Sequence, residues 1–478
     1  MEFFSEDMAS KRTVLNGMNK MNSFGTRLTG SKGQLDFIAY LKNEIKKMGL
    51  EVYSDPYRFN RWEEKQSSIV LHGMEGDESI HVSSPWPYSG QTGENGVTGQ
   101  LVYCPAKHLG FLGARGGIAV VKMKDFEKVP SGVAFNQRSL ITEDGAIPKY
   151  YKGPVATSFV KFPLFAAAKA CGAKAMILIW EGMSDEMVEG QYLNFIMGYQ
   201  GIPALWVNST DGEKILEAAE RGERATLTLV AETENQAHTE SFYAIIPGEK
   251  DDRAIIINTH TDGTNCVEEN GPVALLAMMK YFLKHKTERT LIFVFVTGHF
   301  RLPNFKEGSM QATSKWLSGH RDLWDGKKGH IKAVAGVAVE HLGCKEYKDV
   351  DGKYTCTNDI DVELTYTGNK TMDEIYKKAL EGRTLARVST YAGHNFLHFG
   401  EGQPLFDFGI PEIALVTAPD YLCSVAENHH MDKFNIDLMY EQIETFIKCV
   451  LLIDETPEKQ LGKPDMYSLA LGKVKTGA

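Results

Sequence analysis

The chain has 478 residues, a length that predicts two or three domains and can bury a large core without disulfides or structural metals. Apolar residues make up 43% and charged residues 24%, as in soluble globular proteins, and the net charge is −10. Because the chain is acidic and lacks a long basic run, we expect it to bind neither nucleic acid nor an anionic membrane.

Membrane insertion and export are not indicated either. No apolar run reaches the roughly 18 residues of a transmembrane helix, and the first residues lack the basic and apolar regions of a signal peptide. The seven cysteines, scattered and without a Cys-x-x-Cys pair, favour a reducing compartment. We expect a cytoplasmic protein; the sequence leaves its oligomeric state open, a homodimer included.

The first segment, residues 1–97, has the pattern of an α/β domain. An apolar stripe with Lys and Glu opposite predicts helix within residues 8–50, and Gly49 is expected to end it. A strand is expected to begin at residues 50–53. Several Pro and Gly residues in 85–98 mark a domain boundary.

Residues 98–232 have a different sequence pattern, with many short β-like runs and few helices, and this pattern predicts an inserted β-rich domain. Short strands are expected at 100–103, 117–122, 175–180, 202–207 and 225–230, with helices only at 162–171 and 211–221. We expect this domain to lie over the site, with strand 100–103 outside the sheet that contains residues 253–258.

Residues 233–478 return to alternating strands and helices. The expected strands are 253–258, 290–296, 334–339 and 413–416, and the expected helices are 272–285 and 436–452. This alternation predicts a doubly wound sheet with functional residues at the carboxyl ends of its strands.

The first candidate site follows strand 253–258. His260 and Asp262 are two residues apart, so they share a face if the strand continues, and a metal-bound imidazole commonly gives its second N–H to a carboxylate. Glu268 and Glu269 come just before the helix predicted at 272–285. The alternatives are an ordinary histidine at a strand end and acidic residues that favour a helix start.

Other titratable residues follow the later strands. His299 comes after strand 290–296, and Glu340 and His341 come after strand 334–339. A charge directly after a buried strand is costly unless it is paired or metal-bound. The adjacent His429 and His430 lie in a loop before the last helix, where solvated polar residues are the alternative.

These motifs, taken in order, resemble those of a zinc-dependent exopeptidase family. That family includes bacterial leucyl aminopeptidases, glutamate carboxypeptidase II, glutaminyl cyclase and the transferrin receptor ectodomain. The resemblance covers most of the chain: F-G-T-R-L-T-G-S at 24–31, G-I-P at 409–411, and, within the insert, F-A-A-A-K-A-C-G-A-K-A at 165–175 and G-I-P-A at 201–204, which are similar to a protease-associated domain. It implies a doubly wound mixed α/β sheet with that domain inserted.

The resemblance also implies a metal site. His260 matches the family's first histidine ligand and Asp262 the residue behind it. Glu268, or Glu269, stands where the family has an aspartate that bridges two zinc ions. Glu340 stands at the later aspartate ligand, and His430, or His429, at the C-terminal histidine ligand.

The family's Glu-Glu pair is absent from this chain. A gap-free alignment puts His299 at the general base and Phe300 at the second ligand, whereas one gap makes His299 a ligand and puts Gly298 at the base. The first alternative is favoured, because strands rarely take insertions without a bulge. It implies a remodelled site in which the second metal loses a ligand and one ion remains, with His299 as base; the second alternative implies two ions without the usual base.

The expected function is hydrolysis of an amide bond in a peptide or other small substrate, as in an aminopeptidase. Imidazole and carboxylate ligands suit zinc, with manganese or iron as less favoured metals. Tyr391, His394 and His398 lie in a segment that the resemblance places near substrate. The alternatives are hydrolysis of a non-peptide amide or ester, acyl transfer, and a non-catalytic binding protein of the same fold.

Overall fold

A large mixed sheet organises the chain. The computed structural model describes residues 3–74, 76–105, 108–125, 129–131, 136–143, 145–393, 398–468 and 473–475. Within these residues, fifteen strands form one sheet. Its main path runs in the order β3-β10-β9-β5-β4-β11-β13-β12-β14-β19-β17-β18-β7, and β1 and β2 branch from β11.

The strands are numbered in chain order. Their bounds are β1 Tyr53–Gly73, β2 Gly76–Ile80, β3 Ser84–Pro85, β4 Val97–Tyr103, β5 Ile118–Lys124, β6 Val129–Pro130, β7 Asn136–Ile141, β8 Tyr150–Tyr151, β9 Ala175–Glu181, β10 Ala204–Val207, β11 Arg224–Ile246, β12 Lys250–His260, β13 Arg289–Val296, β14 Lys332–Ala338, β15 Lys345–Val350, β16 Lys353–Ile360, β17 Glu363–Thr367, β18 Val388–Ala392, β19 Glu412–Leu415, β20 Met466–Ser468 and β21 Lys473–Lys475.

The α-helices are numbered in the same way. Their bounds are α1 Lys11–Asn22, α2 Lys32–Lys47, α3 Pro154–Val160, α4 Phe165–Ala170, α5 Asp185–Val188, α6 Ser209–Glu220, α7 Gly271–Phe282, α8 Leu302–Phe305, α9 Thr313–Gly319, α10 Lys370–Ala379, α11 Gln403–Asp407, α12 Ile436–Glu455 and α13 Glu458–Leu461. None of the described helices is both long and apolar enough to span a membrane.

The middle of the sheet is parallel and buried. Strand β12 pairs in parallel with β13 on one side and β14 on the other, and β14 pairs in parallel with β19. Covered strands carry near-continuous apolar runs, and every residue of Ala254 to Ile257 is fully buried. The predicted doubly wound mixed sheet is confirmed, and the carboxyl ends of β12, β13 and β14 meet at one edge.

Two long strands join the insert to this sheet. The first residues of β11 pair with β4, whereas its last residues pair with β13. Strand β1 runs antiparallel to β11 along almost its whole length. The expectation that strand 100–103 lies outside the sheet of residues 253–258 is therefore wrong, because one long strand pairs with both regions.

The inserted segment is also not a closed unit. Strands β4, β5, β9 and β10 share an apolar cluster, but Trp62 and Ile69 of β1 belong to the same cluster. In addition, β7 leaves the insert and pairs with β18 at the far edge of the sheet. The boundaries 1–97, 98–232 and 233–478, and the protease-associated domain, stay predictions.

Helices α1, α2 and α12 pack around α7, which also contacts β12. Helix α7 is buried almost throughout, consistent with its apolar sequence. The helical region predicted at 8–50 is in fact two helices, and the break between them carries Arg27 and Thr29 toward the carboxyl end of β12. Gly49 has a positive φ of 82° just after α2, as expected of a helix-ending glycine.

Candidate metal centre

Three neighbouring strand ends bring titratable side chains together. His260 is the last residue of β12, His299 follows β13 after two residues, and Glu340 and His341 follow β14. Parallel pairing of the three strands places these ends at one edge. All four side chains are buried, with His299 the most exposed at 5%.

A folded loop between β12 and α7 adds Glu268. The Asn265 amide group donates to the backbone oxygens of Leu422 and Ser424 at 2.7 and 2.9 Å, and its Oδ1 accepts from Glu268 N at 3.3 Å. Glu269 forms a fully buried ion pair with Arg27 and belongs to neither group of converging donors among the described residues. Of the two adjacent carboxylates, Glu268 is therefore the one that lies among the histidines.

Four side chains bring donor atoms together, and three of these atoms have no hydrogen-bond partner. The unpartnered atoms are His260 Nε2, His341 Nε2 and Glu340 Oε2, and the Glu268 oxygen nearest the two histidines is Oε1. His260 Nε2 is 3.2 Å from Glu340 Oε2 and 3.9 Å from Glu268 Oε1. His341 Nε2 is 3.6 Å from Glu268 Oε1 and 4.0 Å from Glu340 Oε2. Donors bound tetrahedrally to zinc at about 2.0–2.1 Å lie about 3.3 Å apart, so these separations fit one ion between the four side chains.

Ring orientation decides which histidines can share that ion. A metal bound to an imidazole lies in the ring plane, because the nitrogen lone pair does. The planes of His260 and His341 cross at 78°, so both can contain one ion. The ring of His299 lies against that of His260, with centroids 4.1 Å apart and planes only 15° from parallel. Although His299, His260 and Glu268 also have donor atoms within 4.8 Å, an ion in the plane of His260 lies outside that of His299.

Burial and the local charges oppose one another in this cluster. Burial holds the pKa of Glu268 well above its usual value. The neighbouring carboxylates raise this pKa further, whereas the charge of His260 lowers it. Burial alone would lower the pKa of His260, but the charges of Glu268 and Glu340 raise it well above its usual value. The pKa of His341 is lowered to about 4, mainly by burial. Two buried carboxylates beside a neutral imidazole favour a bound cation.

The proton partner of His260 differs from the sequence prediction. His260 Nδ1 donates to the backbone oxygen of Asp262 at 2.8 Å, not to its carboxylate. The Asp262 carboxylate instead accepts from Gly298 N and Phe300 N, both at 3.0 Å. The chain leaves the strand at His260, so residues 260 and 262 do not share a face. Asp262 thus fixes the turn that carries His299.

The second ring nitrogen of His299 is held by a residue far away in sequence. Its Nδ1 donates to Glu401 Oε1 at 2.6 Å, while its Nε2 lies 3.7 Å from Glu268 Oε1. Phe195 lies above this region, with its ring 5.8 Å from that of His299 and 4.6 Å from that of Phe300. The inserted segment therefore reaches the site and covers it.

The C-terminal histidines do not join the cluster. His430 Nε2 lies 2.6 Å from Ser424 Oγ, and neither His429 nor His430 belongs to a group of converging metal donors among the described residues. The structure therefore does not bring His430 to the other expected ligands. His341, whose Nδ1 donates to Thr417 O at 2.8 Å, brings the second imidazole instead.

We predict that His430→Gln leaves metal content unchanged but makes the fold less sensitive to acid. Burial lowers the pKa of His430 to about 4. Between about pH 6.5 and 4, His430 therefore binds a proton in the unfolded state but not in the folded state. As a result, the free energy of unfolding falls as the pH falls.

Urea unfolding with a chelator present, at pH 7 and pH 5, measures this difference. In His430→Gln the acid-induced loss should be smaller by on the order of 2 kcal/mol. If the variant loses as much stability in acid as the wild type, or if it loses bound metal, the burial of His430 outside the metal cluster is contradicted.

The expected substrate-contact residues are not brought together at the cluster. Tyr391, on β18, lines a cavity of about 890 Å³. The ring of His398 stacks on Tyr366 at 3.9 Å, and its Nε2 lies 3.4 Å from Glu412. His394 lies outside the described residues.

Three site residues had no role assigned to them from the sequence. His341 directly follows Glu340 after a buried strand, and that signal was visible in the sequence. Glu401 precedes a five-residue helix, and its contact with His299 has no local signal. Arg27 lies in the R-L-T-G-S segment, but nothing near it in sequence indicates Glu269 as its partner.

Comparison with solved structures identifies the fold. Peptidase M28 precursor from Shewanella amazonensis SB2B is 15% identical, with a TM-score of 0.64 over 94% of this chain and 95% of that one. BSAP, a zinc aminopeptidase from Bacillus subtilis, is 14% identical, with a TM-score of 0.62 over 92% and 94%. The aminopeptidase from Aneurinibacillus sp. strain AM-1 is 16% identical, with a TM-score of 0.59 over 93% of each chain. Neither a family model nor a curated protein matches the sequence. The chain has the zinc-dependent exopeptidase fold that its sequence predicted.

Proposed function

We propose that this protein is a metal-dependent hydrolase of amide bonds that acts on peptides or other small aminoacyl substrates. The observation that carries the proposal is the convergence of buried donor atoms from His260, Glu268, Glu340 and His341, of which His260 Nε2, His341 Nε2 and Glu340 Oε2 have no hydrogen-bond partner. They lie at the strand ends where open α/β sheets bind ligands. The fold, shared with zinc aminopeptidases, supports the same reaction class.

The donor chemistry fits zinc. Two imidazole nitrogens and two carboxylate oxygens are common zinc ligands, and zinc can expand to five ligands, which leaves a position for a water molecule beside four protein donors. The hydrogen bonds from His260 Nδ1 and His341 Nδ1 to backbone oxygens fix both tautomers with Nε2 free. When bound, the ion would polarise a carbonyl group and lower the pKa of a water molecule.

His299 is the proposed proton carrier. Its Nδ1–H is committed to Glu401, so its Nε2 holds the lone pair that can accept a proton from the attacking water. The resulting imidazolium then gives that proton to the departing amine nitrogen as the C–N bond breaks. The acyl carbon thereby gains the water oxygen, and the imidazole returns to its neutral form.

Arg27 and Asp262 would support this arrangement without touching substrate. The ion pair of Arg27 with Glu269 keeps a second carboxylate out of the donor cluster. The hydrogen bonds of Asp262 to Gly298 and Phe300 hold the turn of His299. Phe195 and its neighbours exclude bulk water from His299.

Metal analysis and an activity panel test the proposal together. The purified protein should contain about one zinc ion per chain, as four converging donors imply. It should hydrolyse some member of a panel of aminoacyl anilides, dipeptides, acyl amides and esters. Treatment with 1,10-phenanthroline should abolish turnover, and added zinc should restore it.

Two results would overturn or redirect the proposal. A protein without stoichiometric metal and without turnover would be a binding protein on this fold. Turnover confined to esters or non-peptide amides, or transfer of the acyl group to an amine, would retain the metal chemistry but replace the substrate class.

A second proposal concerns the cellular compartment of the protein. All seven cysteines are free in the structure, and five of them are buried. We propose a reducing compartment, the cytoplasm, because free thiols persist there.

A further inference from the structure

We infer that Glu401 is a positioning residue for hydrolysis, which fixes the tautomer and orientation of His299; this inference rests on the proposed function. Glu401 is fully buried, and its Oε1 accepts the 2.6 Å hydrogen bond from His299 Nδ1. It is 102 residues away from His299 in the chain, so only the folded sheet brings the two together.

Among the described residues, every hydrogen bond of the Glu401 carboxylate comes from a donor. Besides His299 Nδ1, its oxygens accept from Ala312 N at 3.3 Å and from Thr313 N at 2.7 Å. A carboxylate can accept all three hydrogen bonds, whereas an amide at this position would turn an NH₂ group toward one of the donors. The His299 proton is therefore held on Nδ1, and the Nε2 lone pair is left toward Glu268.

The same residue is tied to the donor cluster by its backbone. Glu401 N donates to Glu340 Oε1 at 2.8 Å, and Glu401 O accepts from Asn258 Nδ2 at 3.0 Å. Gly400, with φ of +74°, allows this approach, because a Cβ at residue 400 would overlap Glu340 Oε1. One short segment thus sets the position of a metal donor and of the proton carrier relative to each other.

Glu401→Gln tests the inference because it keeps the size of the side chain and removes one acceptor. The backbone N–H groups of Thr313 and Ala312 cannot change, but the Thr313 contact with Oε2 is the shorter, at 2.7 Å, and Ala312 N is 3.3 Å from the Oε1 that His299 shares. An imidazole, in contrast, can switch tautomer. The amide nitrogen should therefore face His299 and move its proton to Nε2. We expect kcat to fall by about 10²–10⁴-fold, as when a catalytic histidine loses its orienting carboxylate. Metal content should be retained, and KM should change by less than about threefold.

Two readouts separate positioning from a structural role. In the zinc-loaded protein, ¹⁵N NMR of labelled histidine should report His299 protonated on Nδ1 in the wild type and on Nε2 in Glu401→Gln. In a double-mutant cycle, Glu401→Gln added to His299→Ala should cost little further activity, because Glu401 acts through His299. Multiplicative losses would mean that Glu401 acts independently and would overturn the inference.

Asp454→Asn is a matched control. The Asp454 carboxylate is also buried and accepts from Glu288 N and Arg289 N, both at 2.9 Å, at the opposite end of β13. This variant should lose stability but keep the wild-type kcat. If the wild type is active and Glu401→Gln keeps its kcat or its Nδ1 tautomer, the inference fails alone. If the wild type binds no metal and turns over no substrate, the proposed function fails and the inference fails with it.

Discussion

Replacing the proton carrier should uncouple metal binding from turnover: His299→Ala retains bound zinc and loses about 10²–10⁴-fold in kcat. The expected loss is the usual contribution of a positioned general base. Zinc is retained because the ring of His299 is stacked on that of His260 and does not share its plane. Metal content and rate, measured on the same preparation, check the result.

The opposite outcome has a clear meaning. If His299→Ala loses zinc and activity together, His299 is a ligand, as the gapped alignment with the exopeptidase motif implied. If it loses neither, His299 has no part in the chemistry. His299→Glu provides a further check, because it supplies a carboxylate at the position where the gap-free alignment with the exopeptidase motif places the general base. Partial recovery of activity relative to His299→Ala would support the base assignment.

Removing a donor from the cluster should have the largest effect on metal binding. We expect His341→Ala to weaken zinc affinity by more than about 100-fold, the upper range found for removing a supporting residue behind a ligand. His341 Nε2 lies 3.6 Å from Glu268 and 4.0 Å from Glu340 and has no hydrogen-bond partner. Competition with a chromogenic chelator measures the affinity.

His260→Ala should behave in the same way as His341→Ala, and His430→Gln should not. The three variants together decide which histidine completes the site. Thermal unfolding of the metal-free forms should differ little between His341→Ala and the wild type, because the core is large and lies mostly away from the cluster. Undiminished zinc affinity in His341→Ala, with loss in His430→Gln, would restore the ligand set expected from the motif alone.

Much of the fold could be predicted from periodicity. Strand β12, expected at 253–258, is Lys250–His260, and helix α7, expected at 272–285, is Gly271–Phe282. Both are continuous apolar segments whose type depends little on their neighbours. The sequence predicted only the start of β1 and only residues 225–230 of β11, because both strands are long and their buried and exposed positions lack a simple alternation.

The sequence by itself determined that titratable residues follow successive buried strands. Because parallel strands end at one edge, His260, His299, Glu340 and His341 had to lie near one another once the doubly wound sheet formed. It also determined that the site departs from the usual Glu-Glu motif, since that pair is missing after β13.

Only the tertiary structure decided which partner each of these residues has. It turned Glu269 onto Arg27, paired His430 with Ser424, and set Glu401 against His299. These contacts join segments between six and more than two hundred residues apart, through loops whose paths depend on packing. Ring planes and single hydrogen bonds distinguish a ligand from a base, and neither is encoded in local periodicity.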